Sequence, residues 1–264
     1  AIQPWAEPSI KVGIITEPGG AHLGLYLKSL ANCQGVDQIA LADSTGGTFE
    51  NTKSVLASRF PKLQTFRNSF EMVSLFKPDL VLVTLETHHM PPALRMALES
   101  NCHVLSEKHP CVNVDDLDAV VRLADARQRH LMLAFATRFS PIVQKAKEVV
   151  QSGLIGKPYG TNAYLIADRA RFKKPGYSSS WLALKQKAGG GFLMQVGIHY
   201  LDLVQHISGD KVRKVAGFCR NVGGHPIEVE DTAVAALEFE KGMVGTLQSG
   251  CYLESGYQSH FTLW

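Results

Sequence analysis

Lys11-Val12-Gly13-Ile14-Ile15-Thr16 is a short apolar run rich in β-branched residues, and it breaks at Glu17-Pro18-Gly19-Gly20-Ala21. Leu23, Leu27 and Leu30 then recur at helical spacing over about residues 23–31. A buried strand that meets a Pro/Gly break and passes into an amphipathic helix is the opening of a βαβ unit. Residues 38–43 supply the second strand, Gln38-Ile39-Ala40-Leu41-Ala42-Asp43, which ends in an acid.

The alternation continues outward from this unit. The pattern predicts a helix over 49–59, a weak strand at 63–66 and a helix at 70–76. Strand 80–85 precedes helix 92–99, strand 103–106 precedes helix 115–127, and strand 131–136 follows. Pro91-Pro92 suits a helix start, and Asn113 is placed to cap the helix after it. Strands of continuous apolar character between amphipathic helices imply a parallel, doubly wound sheet covered on both faces, an α/β domain over residues 1–137.

In such a sheet the ligand crevice lies beyond the carboxyl ends of the strands, here Thr16, Asp43, Leu85 and Lys108. Asp43 stands where a carboxylate would accept from both adenosine ribose hydroxyls and repel a 2′-phosphate, favouring NAD over NADP. It can equally close the turn at Ser44-Thr45-Gly46. A dinucleotide fingerprint needs G-x-G-x-x-G, and those three positions hold Thr16, Pro18 and Ala21. Pro18 has no N–H to donate, and Glu17 brings a negative charge, so Gly19, Gly20 and Ala21 are left to offer amides to a pyrophosphate.

The second half reads differently. Ile142, Val143, Ala146, Val149 and Val150 form an amphipathic stripe ended by Gly153, and a strand follows over 160–167. Residues 168–187 read as a polar, largely solvated loop carrying Arg169, Arg171, Lys173 and Lys174. A glycine run, Gly189-Gly190-Gly191, then opens an apolar helix with Gln195 and His199 four residues apart, where i and i+4 stack on one face. Strands follow at 212–220, 232–240, 243–253 and 258–264, with Lys241-Gly242 as a tight hairpin turn. This predicts an α+β domain over 138–264 with an open, mostly antiparallel sheet. Its strand pattern ends at Trp264 without a closing element, which suggests an incomplete domain.

Composition narrows the classes. With 264 residues, 45% hydrophobic and 19% charged, the chain is a globular protein. A net charge of +3 from dispersed basic residues argues against nucleic acid and against an anionic membrane surface. Five widely spaced cysteines without C-x-x-C argue against a disulfide framework and against a metal site of structural-zinc type. They fit a reducing, cytoplasmic compartment. Residues 1–10 show no leader pattern, and no apolar run approaches a membrane span.

Four stretches resemble the Gfo/Idh/MocA family of nicotinamide-dependent oxidoreductases, which includes glucose-fructose oxidoreductase and inositol dehydrogenases. They are His103-Val104-Leu105-Ser106-Glu107-Lys108; Arg138-Phe139-Ser140-Pro141 running on to Ser152–Pro158; Gly190 to Asp202; and Val229-Glu230-Asp231-Thr232-Ala233. The resemblance implies a Rossmann domain, an open-faced sheet domain and an active site between them. It implies Lys108 and His199 as catalytic groups with Gln195 beside them, and NAD held by Thr16, Gly19, Gly20, Ala21, Asp43, Leu85, Glu86, Glu107 and Lys108. The implied substrate is a sugar, inositol or related polyol, and the implied assembly is a homo-oligomer formed through the open sheet. The chain departs from the family at Gln195 in place of Asp, at His109 in place of the proline after Lys108, and at Leu85-Glu86 in place of Thr-Pro. Two other readings are compatible with the same fold: a non-catalytic nucleotide- or sugar-binding member, and an NAD-dependent glycoside hydrolase.

Overall fold

A computed structural model describes residues 9–264 of the chain; most of the segment read for a leader lies outside the described residues. The chain divides into two compact units, Ala1–Ala134 and Phe135–Trp264.

The first unit contains β1 (Ile10–Thr16), α1 (Leu23–Asn32), β2 (Val36–Ala42), α2 (Phe49–Leu56), β3 (Gln64–Phe66), α3 (Ser69–Phe76), β4 (Leu80–Thr84), α4 (Met90–Glu99), β5 (His103–Ser106), α5 (Val114–Ala126) and β6 (Leu131–Leu133). The six strands pair in parallel in the order β3-β2-β1-β4-β5-β6. The order reverses between β1 and β4, the topological switch point at which open α/β sheets bind their ligands. Successive residues of each strand face opposite sides, so one buried sheet feeds two cores. Val12, Ile14, Ile39, Leu41 and Leu82 pack under Leu23, Leu27 and Leu56 of α1 and α2. Ile15, Ala40, Ala42, Val81, Val83 and Val104 pack under Met72, Phe76, Leu94, Leu98, Val120 and Ala124 of α3, α4 and α5.

Local chemistry sets the helix starts. Asn68 accepts from the amides of Phe70 and Glu71, and Asn113 accepts from that of Asp116 at 2.9 Å. Pro91 and Pro92 sit in the first turn of α4, where a missing N–H costs nothing.

The second unit contains α6 (Pro141–Gln151), β7 (Gly160–Asp168), the short helix α7 (Lys185–Ala188), α8 (Ile198–Ser208), β8 (Val212–Arg220), β9 (Thr232–Phe239), β10 (Val244–Leu253) and β11 (Tyr257–Leu263). The strand order is β11-β7-β10-β9-β8. All pairs are antiparallel except β7 with β10, so the sheet is mixed. One face is buried: Ala235, Leu237, Phe239 and Leu247 pack with Val204 of α8, and with Tyr200 and Leu201. The other face leaves Phe218, Val234 and Val244 exposed. Segment 168–187 is not one plain loop. It is pinned as three 3₁₀ turns followed by α7.

Candidate active site

The strand ends of the first unit surround a cavity of about 460 Å³ lined by Thr16, Glu17, Asp43, Ser44, Arg67, Leu85 and His89, among others. It lies at the switch point and has the size of a small-ligand pocket. The glycine loop above it is locked to the sheet. Thr16 Oγ1 donates to the carbonyl of Thr84 at 3.1 Å, and the amide of Gly20 donates to the carbonyl of Glu17 at 2.9 Å. A Cβ on Gly20 would fall 2.3 Å from the Thr84 oxygen, so only glycine lets this turn lie against β4. The Gly20 amide is thus used inside its own turn, whereas the sequence reading offered it to a pyrophosphate. Glu17 does not stand as an unpaired charge. Its carboxylate accepts from the amide of Glu86 at 2.7 Å and lies 3.0 Å from Nδ1 of His89.

Asp43 lines the same cavity, yet its carboxylate is filled. Oδ1 accepts from the amide and hydroxyl of Thr45, and Oδ2 from the amide and hydroxyl of Thr48, all at 2.8–2.9 Å. An ionised carboxylate offers about four acceptor positions, and all four are taken by this turn. Burial pushes the Asp43 pKa up, but the hydrogen bonds from Thr48 and Thr45 outweigh it and hold the carboxyl below its ordinary range. The turn-closing reading is thus what the hydrogen bonds display, and ribose hydroxyls would have to share or displace these contacts.

The end of β5 gathers the other charged groups. Glu107 is buried, accepts from the Tyr26 hydroxyl, and has Nδ1 of His22 3.2 Å away and Nζ of Lys108 3.6 Å away. Burial raises the Glu107 pKa, while hydrogen bonds from His22 and Tyr26 and the charge of Lys108 lower it further, so it stays ionised. Burial and the Glu107 carboxylate push the Tyr26 phenol well above its usual value. His22 and Tyr26 come from α1 and the residue before it, more than 80 positions away in sequence. Nothing in the local pattern marks them. The Lys108–His109 peptide is cis, and Thr87 Oγ1 donates to the His109 carbonyl at 3.3 Å.

In the second unit the glycine run serves a close approach. A Cβ on Gly191 would fall 1.8 Å from the Glu230 carbonyl oxygen, and Glu230 uses its carboxylate to accept from the amides of Gly191 and Leu193 at 2.7 and 3.2 Å. Asp231 likewise accepts from Val222 and Gly223 at 2.8 and 2.7 Å. Residues Leu193–Gly197 form a π-turn leading into α8. The Gln195 amide donates to the carbonyls of Leu182 and Gly190 at 2.9 and 3.3 Å and accepts from Arg171 at 3.2 Å. Arg171 in turn lies over the Phe192 ring, 4.8 Å from its centroid.

Arg171 also lines a cavity of about 570 Å³ with Lys174, Tyr177 and Ser180, so two cations of the expected solvated loop face a pocket. His199 meets the Phe135 ring edge-on at 5.8 Å. Asp202 holds Arg138 in a two-pronged salt bridge through Nε at 2.7 Å and Nη2, and this pairing raises the Arg138 pKa. Lys108 belongs to the first unit, and His199 and Gln195 to the second.

Comparison with known proteins follows this division. Residues 12–135 match the model of an oxidoreductase family with an NAD-binding Rossmann fold, and residues 143–264 match the GFO/IDH/MocA C-terminal domain. D-glucoside 3-dehydrogenase of Escherichia coli is 27% identical over 77% of this chain and 61% of its own length. Myo-inositol 2-dehydrogenase of Thermotoga maritima is 25% identical over 74% of this chain and 56% of its own. The chain thus spans about three fifths of the length of these two curated relatives. Among solved structures, scyllo-inositol dehydrogenase from Lactobacillus casei with bound NAD(H) and scyllo-inositol aligns with a TM-score of 0.79 at 20% identity, covering 97% of this chain and 73% of that one. The WlbA dehydrogenase from Bordetella pertussis aligns with a TM-score of 0.82 at 18% identity, covering 97% and 76%. Likeness at this identity establishes the fold.

Proposed function

The chain belongs to the GFO/IDH/MocA oxidoreductase family, and on that premise we propose that it transfers hydride between NAD and a hydroxyl-bearing carbon of a sugar, inositol or related polyol. The observation that carries this reading is the ionised Glu107 beside Lys108 at the end of β5, in a unit whose switch point holds a cavity. Bound there, NAD would supply the hydride acceptor. Thr16, Gly19, Gly20, Ala21, Leu85, Glu86, Glu107 and Lys108 are the residues assigned to hold it. Asp43 keeps its negative charge at the end of β2, which favours NAD over NADP even though its oxygens close a turn.

Oxidising an alcohol requires removal of the hydroxyl proton as hydride leaves. His199 is the group assigned to take that proton, and the Lys108 ammonium the group assigned to stabilise the developing alkoxide. Gln195 orients the site through Leu182, Gly190 and Arg171 rather than by moving a proton, since an amide does not titrate. The exposed apolar face of the second sheet is the surface proposed for homo-oligomer contact. The five free thiols fit a cytoplasmic location, and among the described residues no helix is long and apolar enough to cross a membrane.

Gln195 and the spent Gly20 amide favour one second reading, a non-catalytic member that binds a nucleotide or sugar. Titration with NADH followed by fluorescence separates the two. Saturable binding and net NADH formation with a polyol panel support the dehydrogenase. No binding at millimolar cofactor removes it, and leaving-group release from aryl glycosides without net NADH replaces it with a hydrolase. For the dehydrogenase, Lys108→Ala lowers kcat by about 10²-fold or more while NADH affinity stays within a few-fold; an unchanged kcat takes Lys108 out of the mechanism.

A further inference from the structure

The segment after β4, Glu86-Thr87-His88-His89, brings together two imidazoles and a carboxylate whose potential ligand atoms all lie within 4.8 Å of one another. Residues 87–89 form a 3₁₀ turn, closed by the His89 amide donating to the Glu86 carbonyl at 2.8 Å. This tight turn puts two consecutive histidines side by side, with ring centroids 3.9 Å apart. Nδ1 of His88 lies 3.7 Å from Oε2 of Glu86. From the opposite loop, Glu17 accepts at Nδ1 of His89, 3.0 Å away, and also holds the Glu86 amide.

We propose that Glu86, His88 and His89 form a binding site for a divalent transition-metal ion of the zinc class, with Glu17 as the carboxylate that orients His89. Two nitrogens and one oxygen suit a borderline-soft cation such as Zn²⁺, whereas Mg²⁺ and Ca²⁺ select oxygen donors. The Glu17 contact matters because it fixes the His89 proton on Nδ1 and leaves Nε2 to ligate, the usual carboxylate–histidine–metal arrangement. Zn–N and Zn–O bonds of about 2.0–2.2 Å put tetrahedral ligand atoms roughly 3.5 Å apart. Closing from the observed spread takes about an ångström of inward movement. The half-exposed His89 and the partly exposed Glu86 supply it by side-chain rotation.

Three protein ligands leave a fourth position for water or an oxygen ligand, as in open zinc sites. His89 and Glu17 also line the cavity at the switch point, so an ion here ties the loop after β4 to the loop after β1 at the cavity wall. This proposal departs from the expectation, drawn from the cysteine spacing, of no metal site of structural-zinc type, since its ligands are histidine and glutamate.

The test is competition for Zn²⁺ between the chelator-stripped protein and a chromophoric chelator, with the two exposed thiols, Cys33 and Cys219, replaced by serine in every sample. The expected result is one equivalent bound with at least micromolar affinity, lost in His88→Ala and in Glu86→Gln. Glu17→Gln should retain one equivalent at about 10–100-fold weaker affinity, the usual cost of losing an orienting partner. Circular dichroism of the stripped variants checks that they remain folded. Anomalous scattering at the zinc edge from a soaked crystal places the ion. Absence of micromolar binding, one equivalent retained by His88→Ala/His89→Ala, or an ion located elsewhere overturns the proposal.

Discussion

At the end of β5 in the first unit, Glu107 accepts from the Tyr26 hydroxyl and sits within ion-pair reach of His22 and Lys108. Around the start of α8 in the second unit, Glu230 and Asp231 accept from the backbone amides of Gly191, Leu193, Val222 and Gly223, and Asp202 accepts from Arg138. The first acid is surrounded by a phenol, an imidazole and an ammonium group. The second group is consumed by backbone donors and a guanidinium that stays protonated. A buried acid bound to backbone amides organises the chain; one bound to a phenol, an imidazole and an ammonium gathers chemistry. Three of the four family-like stretches therefore serve one another structurally. Arg138-Phe139-Ser140-Pro141 is clamped to Asp202, and the glycine run is clamped to Glu230.

The contrast is broken most directly at Gly191. A methyl group there would lie 1.8 Å from the Glu230 carbonyl, so either the backbone moves or the helix start detaches. Gly191→Ala is expected to cost more than about 3 kcal/mol, read as an early urea transition of the second unit; a loss below about 1 kcal/mol would show that the clamp yields freely. Next in size, Arg138→Ala leaves the buried Asp202 carboxylate without its cation. Loss of one partner from a buried pair costs about 3–5 kcal/mol, and the partly exposed Arg138 reduces this to about 2 kcal/mol. The same denaturant midpoint checks it, and Arg138→Lys should recover only part, because a point charge cannot make the two-pronged contact.

The smallest effect sharpens the first unit. Glu107 is held below its ordinary range, so its contribution to stability is fully present above the unfolded value of about 4.5 and is lost as pH falls through the folded value. Glu107→Gln should flatten the fall in stability below about pH 4.5 relative to the parent chain. Identical acid-denaturation profiles would mean that Glu107 gains nothing from His22, Tyr26 and Lys108.

Much of the fold was legible because its causes are local. Apolar runs of strand length, separated by amphipathic helices, give the parallel sheet, and Asn113 and Pro91-Pro92 mark helix starts within their own first turns. Asp43 shows a partial reading. Its place at the end of β2 is visible in the pattern, and so is the turn signal Asp43-Ser44-Thr45, but the pattern does not weigh one against the other. The hydrogen bonds from Thr45 and Thr48 do, since short polar side chains two and five residues on reach the carboxylate before any ligand. Gln195 shows another limit: periodicity assumes 3.6 residues per turn and foresees neither the π-turn at Leu193–Gly197 nor the contacts with Leu182, Gly190 and Arg171.

The sequence by itself determined the class of each unit, the positions of Lys108, His199 and the strand-end acids, and the resemblance that ties them to one family. These follow from hydrophobic period and short motifs, which depend only on neighbours along the chain. Tertiary structure alone decided which acids are occupied, that Tyr26 and His22 serve Glu107, that β7 runs parallel to β10, and that Glu17 reaches across to His89. Each of these depends on contacts between residues tens of positions apart. Such pairs leave no periodic trace in one chain, because either partner alone looks like an ordinary polar residue.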